Sequence, residues 1–210
     1  MTTAPRSRVV GVVPAAGASR RMGRPKGLLE LGGRTFAQRT MGALRGGGCE
    51  EVLFVVDESD HALAAHVAGE KAVVLTNPAP GEGPITSLRM ALRMLSDDID
   101  AVVYLPLDHA LVEARHVERL IDEAVGGDAP LALPVHEGKR RHPAFFSRRL
   151  FAELVDPALE GGARTVVHRH LAEARLFEAD AAVVADIDTP EAYEEALAQF
   201  KAVSTGSATS

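Results

Sequence analysis

Short apolar runs separated by stretches of helical spacing recur along this chain, and no other feature limits its possible folds as much. Val9–Val13, Glu51–Val56, Ala72–Thr76 and Ala101–Leu105 are rich in β-branched and leucine side chains and show little polar alternation. Such runs mark strands buried on both faces. Between them, Thr35 can cap a helix that continues to about Leu44 and ends at Gly46-Gly47-Gly48. Asp57–Asp60 opens a second helix ending near Gly69, Ile85, Leu88, Leu92 and Leu95 repeat at helical spacing, and Arg115–Val125 forms a fourth. The repeat predicts an α/β fold: a doubly wound, mostly parallel sheet with helices on both faces. Ligands of such sheets bind beyond the carboxyl ends of the strands.

The second half changes character. Leu131–His136 and His142–Phe146 read as strands around a Glu137-Gly138 turn, which predicts a small antiparallel excursion. Arg148–Leu154 and Arg164–Leu171 read as helices and Ala182–Ala185 as a last strand, and Thr189-Pro190 supplies the cap and first residue of a final helix. With no repeat and no linker, the pattern predicts one domain over 8–202, a flexible leader over 1–7 and a small polar tail over 203–210.

The first strand breaks abruptly into small residues, glycines and cations, Ala15-Ala16-Gly17-Ala18-Ser19-Arg20-Arg21-Met22-Gly23-Arg24-Pro25-Lys26. A backbone this unencumbered can approach a ligand and aim its N–H groups at an anion. The guanidinium and ammonium groups put positive charge on the same turn, as a triphosphate requires. Neither common phosphate motif fits. Five residues separate Gly17 from Gly23, Lys26 lies three further on, and G-x-G-x-x-G is absent. The plainer alternative is a solvated, arginine-rich connection.

The 210 residues carry a net charge of -6, which argues against a nucleic-acid partner and makes local basic clusters informative. The single cysteine, Cys49, excludes an internal disulfide and suits a small buried residue. The chain has neither a membrane-length apolar run nor a signal-peptide pattern, so a cytoplasmic location is expected.

Asp108 follows the fourth strand, where a carboxylate can hold Mg²⁺ together with substrate phosphates or cap the next helix. Asp186 and Asp188 alternate, so on extended backbone only one faces a given site. Lys139-Arg140-Arg141-His142 is a second basic cluster, suited either to a phosphate on an acceptor or to a solvated hairpin tip. His168 and His170 do not share a helical face and receive no metal role. His61, His66 and His116 are expected at the surface.

The Pro14–Leu29 stretch resembles the signature of the MobA-like NTP transferases, closest to the molybdenum cofactor cytidylyltransferase type. Asn77-Pro78 with Gly83 and Thr86-Ser87-Leu88, His142-Pro143-Ala144-Phe145-Phe146, and Asp186-Ile187-Asp188-Thr189-Pro190-Glu191 extend the similarity over about Val9 to Leu197. The resemblance implies a nucleotide-diphospho-sugar transferase-like fold and a Mg²⁺-dependent nucleotidyltransferase, with Mn²⁺ as the alternative metal. It gives Arg21, Lys26 and Asp108 catalytic roles. Ala15, Ala16, Gly17, Ser19, Gly23, Asn77, Gly83 and Ser87 join Arg21 and Lys26 around the nucleotide. Asp108 and Asp188 become the metal carboxylates, and His109, Arg141 and His142 fall on the acceptor side. Ala15-Ala16-Gly17 is similar to members that use CTP, whereas guanylyl-transferring relatives tend to carry Ala-Gly-Gly. Two departures bear on the acceptor: Leu107-Asp108-His109-Ala110 replaces Gly-Asp-Gln-Pro, and Arg141 replaces the glycine of Gly-His-Pro.

The expected reaction is in-line attack by an acceptor phosphate oxygen on the α-phosphorus, with pyrophosphate leaving. Molybdopterin or molybdenum cofactor is the leading acceptor, with a molybdoenzyme or cofactor-insertion protein as partner. A sugar phosphate or another small phosphorylated acceptor is the alternative. A non-catalytic nucleotide-binding regulator is a third reading, less suited to a chain that keeps both carboxylates.

Overall fold

The computed structural model describes residues 7–17 and 25–206, with side chains as far as 200. The expectations for Ser19, Arg21 and Gly23, for residues 1–6 of the leader and for the end of the tail lie outside the described residues. Ten strands and seven α-helices follow one another among the described residues. They are β1 (Val9–Ala15), β2 (Glu30–Leu31), β3 (Arg34–Thr35), α1 (Phe36–Gly46), β4 (Glu51–Asp57), α2 (His61–Gly69), β5 (Val73–Asn77), α3 (Pro84–Met94), β6 (Ala101–Tyr104) and α4 (Ala114–Gly126). The chain continues through β7 (Leu131–His136), β8 (Lys139–Arg140), β9 (Ala144–Ser147), α5 (Phe151–Leu154), α6 (Ala163–Arg169), β10 (Arg175–Glu178) and α7 (Pro190–Gly206).

The main sheet runs β10-β7-β9-β6-β1-β4-β5, and β8 pairs with β7. β1 lies parallel to β4, with Val10 opposite Glu51 and Ala15 opposite Val56, and parallel to β6, with Val12 opposite Tyr104. β9 is antiparallel to both β6 and β7, and β8 turns back on β7. These pairings are the expected antiparallel excursion. A separate small hairpin, β2–β3, pairs Glu30 with Thr35.

The apolar continuity of β1 has a direct cause in packing. Val9, Val13 and Ala15 point into one core with Phe36, Leu44, Leu63, Leu120 and Tyr193, below α1, α2, α4 and α7. Val10 and Val12 point into the other with Leu88, Leu92, Leu154 and Val166, below α3, α5 and α6. Each large apolar side chain buried this way contributes about 1.5–3 kcal/mol. Thr35 caps α1 through Gln38 N–H in a reciprocal capping box, and Thr189 Oγ1 accepts from Ala192 N–H at the start of α7, as their sequence positions predict.

Two expectations require correction. Ala182–Ala185 is not the last strand. A 3₁₀ turn occupies Ala181–Val183, capped by Asp180, and the strand is β10, parallel to β7. His116 is not at the surface. It is buried at 5% exposure, where its Nδ1 accepts from Glu113 N–H and closes the first turn of α4.

Candidate active site

The carboxyl ends of β1, β6 and β7 open into one cavity of about 1290 Å³. Pro14 to Gly17 enter it directly from β1, and Lys26 comes in on the short 3₁₀ turn Lys26–Leu28. Gly27 explains how this turn sits so deep, because a Cβ there would lie 2.5 Å from Leu63 Cδ1 on α2. The Lys26 side chain is only 14% exposed and ion-pairs with Asp188, from the segment that leads into α7.

Asp108 follows β6 and lines the same cavity. Its Oδ1 is buried and accepts no hydrogen bond. The nearest cationic candidate among the described pairs, His109 Nε2, is 3.9 Å away. Burial raises the Asp108 pKa above the ordinary carboxylate range, and the negative charge of Asp188 pushes the same way, while His109 and Lys26 oppose it. A buried carboxylate oxygen without a donor is costly unless a ligand completes it. Among the described residues no three His, Cys, Asp or Glu side chains are placed to hold a metal ion. The donor set is thus a carboxylate pair, which suits a hard cation that takes its remaining oxygens from phosphates and water.

Gly83, Pro84, Ile85 and Ser87, at the start of α3, form a further wall. Gly83 has a φ of +97°, a conformation that admits glycine far more readily than other residues. Asn77 stands behind this wall and does not line the cavity. Its Nδ2 donates to Thr86 Oγ1 at 2.8 Å and Ser87 Oγ at 3.2 Å, so it holds the α3 start to the end of β5.

On the other side, Arg140 comes from the end of β8, and Arg141 and His142 from the turn to β9. His142 packs edge-on against His109, with ring centroids 4.8 Å apart, and His109 stands outside the cavity lining at 4% exposure. Burial lowers the pKa of both, with His142 pushed down to about 3 and His109 also lowered. Both imidazoles are neutral at neutral pH, so the positive charge on this side comes from Arg140 and Arg141. Asp186 is exposed and outside the lining, leaving Asp188 as the inward member of the pair.

Sequence reasoning missed Tyr104 and Arg164. Tyr104 ends β6 inside the cavity, and burial together with the charge of Asp108 raises its pKa, keeping the hydroxyl a neutral donor. Its place opposite Val12 was readable only from the strand register. Arg164 lies far along the chain on α6, and its arrival at the cavity depends on how that helix crosses the sheet.

Comparison with known proteins agrees with this geometry. The MobA-like NTP transferase domain family matches residues 11–175. A Mycobacterium tuberculosis protein named "probable molybdenum cofactor guanylyltransferase" is 30% identical over 158 residues, covering 74% of this chain and 76% of its own length. A 2-C-methyl-D-erythritol 4-phosphate cytidylyltransferase from Rhodococcus jostii is 34% identical over 119 residues, covering 55% of this chain and 50% of its own. The crystal structure of Rv0371c from Mycobacterium tuberculosis superposes with a TM-score of 0.79 at 28% identity, covering 92% of this chain and 99% of that one. A manganese complex of Rv0371c superposes with a TM-score of 0.75 at 27% identity, covering 91% and 99%. The chain belongs to the MobA-like NTP transferase family and is a nucleotidyltransferase.

Proposed function

We propose that the chain moves a nucleoside monophosphate from a nucleoside triphosphate onto a phosphorylated acceptor of the molybdopterin class. The observation that carries this reading is the meeting of Lys26, Asp108 and Asp188 in one cavity, beside the small-residue backbone of Ala15-Ala16-Gly17. An acceptor phosphate oxygen attacks the α-phosphorus, the bond from that phosphorus to the β-bridging oxygen breaks, and pyrophosphate leaves with the electron pair. Lys26 stabilises the charge that grows on the leaving group. The Gly83–Ser87 wall orients the nucleoside, and the neutral Tyr104 hydroxyl can donate to a phosphate oxygen. No protein nucleophile is needed, because positioning and charge neutralisation supply most of the effect.

The orphaned Oδ1 of Asp108 and the nearby Asp188 fit a divalent cation, Mg²⁺ by expectation. The manganese held by the similar Rv0371c supports a divalent requirement here. Such a cation would supply further neutralisation of the triphosphate.

For the donor, Ala15-Ala16-Gly17 favours CTP. The guanylyltransferase name of the 30% identical relative favours GTP as a second reading. For the acceptor, the molybdenum cofactor named for the 30% identical relative favours the pterin over a sugar phosphate. Retention of both carboxylates weighs against a non-catalytic regulator.

The test is pyrophosphate release by the full chain with Mg²⁺ or Mn²⁺, with CTP and GTP in parallel, and with molybdopterin, molybdenum cofactor or a sugar phosphate as acceptor. The reading expects release only with a pterin acceptor and one preferred nucleotide, and a loss on the order of a hundredfold in Lys26→Ala. Equal turnover in Lys26→Ala, or a nucleotide that binds and is never cleaved, would overturn it.

A further inference from the structure

Arg39, on α1, does not line the cavity, yet its side chain touches all three of the segments that deliver Lys26, Asp108 and Asp188. Its Nε donates to the carbonyl of Ala110 at 2.7 Å, and its Nη1 donates to the carbonyl of Leu31 at 3.4 Å. Its guanidinium carbon lies 4.5 Å from the centroid of the Phe200 ring. Ala110 follows Asp108 on the loop after β6, Leu31 ends the short strand after the Lys26 turn, and Phe200 is on α7, which Asp188 leads into. Ala110 and Leu31 are both fully buried, so their carbonyls need donors from within the protein.

The guanidinium is half-buried, and no carboxylate among the described residues forms an ion pair with it. Burial lowers its pKa, Arg34 pushes the same way, and Glu113 opposes them. An unbranched apolar side chain would fill the same space without the cost of desolvating a charge. What the guanidinium adds is direction: donors aimed at two separate segments and a planar face laid against an aromatic ring. α7 also meets β2 directly, where Tyr193 Oη donates to the carbonyl of Glu30. Of these two ties, the one through Arg39 also reaches the loop that carries Asp108.

We propose that Arg39 is a positioning residue for nucleotidyl transfer, holding the Asp108 loop, the Lys26 segment and α7 in register from behind the site. The inference rests on the reading that Lys26, Asp108 and Asp188 serve the triphosphate and its cation. Arg39 touches no substrate and acts only through the backbone and the helix it fixes. In-line attack tolerates little misplacement, so loosening these segments should lower turnover more than it lowers nucleotide affinity. Partners that orient a cation's carboxylates from behind act on its affinity as well.

The experiment compares the full-length wild type with Arg39→Met, Arg39→Lys and Arg45→Met. Arg45 is the control, an exposed arginine of the same helix whose Nη2 donates to the carbonyl of Lys71 at 2.9 Å, away from the cavity. Metal-free amide hydrogen exchange should quicken in Arg39→Met over 26–31, 105–112 and 186–190 and stay unchanged in β4. Mn²⁺ affinity, read from the free-ion paramagnetic resonance signal with α,β-methylene-CTP or α,β-methylene-GTP present, should fall on the order of tenfold to a hundredfold. The kcat for pyrophosphate release with molybdopterin should fall similarly, with the nucleotide KM within about threefold of wild type. Arg39→Lys should recover part of each loss, because an ammonium can still donate to one carbonyl, and Arg45→Met should match wild type. Normal Mn²⁺ affinity in Arg39→Met, exchange that quickens evenly over the whole chain, or equal losses in Arg45→Met would overturn the proposal. If Arg39→Met does not fold, Phe200→Leu keeps both hydrogen bonds and must show a weaker change over the same three segments; its absence also overturns the proposal. If the wild type binds neither Mn²⁺ nor nucleotide, the transferase reading fails, and the exchange pattern still decides whether Arg39 holds the three segments together.

Discussion

The backbone N–H of Ile187 donates to the backbone carbonyl of Asp108 at 2.9 Å. This one bond joins the loop after β6 to the segment that enters α7, and so brings the carboxylates of Asp108 and Asp188 into one cavity. Being a main-chain contact, it survives any side-chain substitution short of proline at 187. The side chains at the site can therefore be altered without loosening the frame that holds them.

Asp108→Asn tests that separation. Burial raises the pKa of Asp108, so in the native protein the ionised form carries a cost that grows as pH rises above the ordinary carboxylate range. Replacing the carboxylate by an amide removes that cost at neutral pH. The metal-free variant should be more stable at neutral pH, with a higher Tm. Its turnover should fall on the order of a hundredfold or more. Thermal denaturation in the presence of a chelator and a pyrophosphate-release assay measure the two changes; a less stable variant of normal activity would contradict the prediction.

Tyr193→Phe probes the other support of the site. Tyr193 Oη donates to the carbonyl of Glu30 at 2.6 Å, and its ring meets Phe36 edge-on at 5.9 Å. The contact ties α7, just after Asp188, to the β2–β3 hairpin, just after Lys26. Loss of the hydroxyl leaves a part-buried carbonyl unpaired and should cost about 1 kcal/mol in urea unfolding. Because the Lys26–Asp188 pair depends on this tie, metal or nucleotide affinity should weaken more than the stability change alone accounts for.

Much of this frame is legible in the sequence, because β1, β4 and β6 are uninterrupted apolar runs and nearly every residue in them has a core to enter. β10 is not legible. Arg175-Leu176-Phe177-Glu178 is an edge strand in which Phe177 alone is buried and Leu176 is 42% exposed, so neither periodicity nor composition marks it. His116 was hidden for a different reason. It closes the first turn of α4 from the third helical position, where Gln or Glu is the expected partner, and its Nε2 lies 3.1 Å from Asp180. At the site, Lys26, Asp108 and Asp188 were readable because each follows or precedes an element in a motif. Tyr104 and Arg164 required the strand register and the α6 crossing, which only tertiary packing fixes.

The Glu153–His170 pair gives the stability a defined pH dependence. Its oxygen and nitrogen lie 2.8 Å apart on side chains about a quarter exposed, 26% and 25%. Hydrogen bonding to Glu153 raises the His170 pKa above 6.5, and hydrogen bonding to Arg169 and His170 lowers that of Glu153 below 4.5. The histidine's contribution is complete below pH 6.5 and is lost as pH climbs through its raised native value. The carboxylate's contribution is complete above pH 4.5 and is lost as pH falls through its lowered value. Stability attributable to the pair should thus be greatest between those limits. For an exposed pair it amounts to about 0.5 kcal/mol. The difference in urea-unfolding free energy between wild type and His170→Gln, followed from pH 4 to 8, should be largest in that window and shrink on the alkaline side. A difference that grows with pH would contradict the assignment.

Cys49 offers an internal reporter of unfolding. It is the chain's only thiol, 5% exposed, and burial pushes its pKa from 9.0 up to about 12. Since the thiolate is the reactive form, the native protein at pH 8 holds about a thousandfold less of it than the unfolded chain does, before steric protection is counted. Native protein should therefore react with a disulfide reagent only as fast as it opens, and one thiol per chain should appear promptly in concentrated guanidinium chloride. The labelling rate should fall when nucleotide and metal are added together, because ligands that bind only the folded form suppress opening in proportion to their saturation. Prompt labelling of the native protein, or a rate indifferent to bound nucleotide, would show that the Cys49 pocket opens independently of the site.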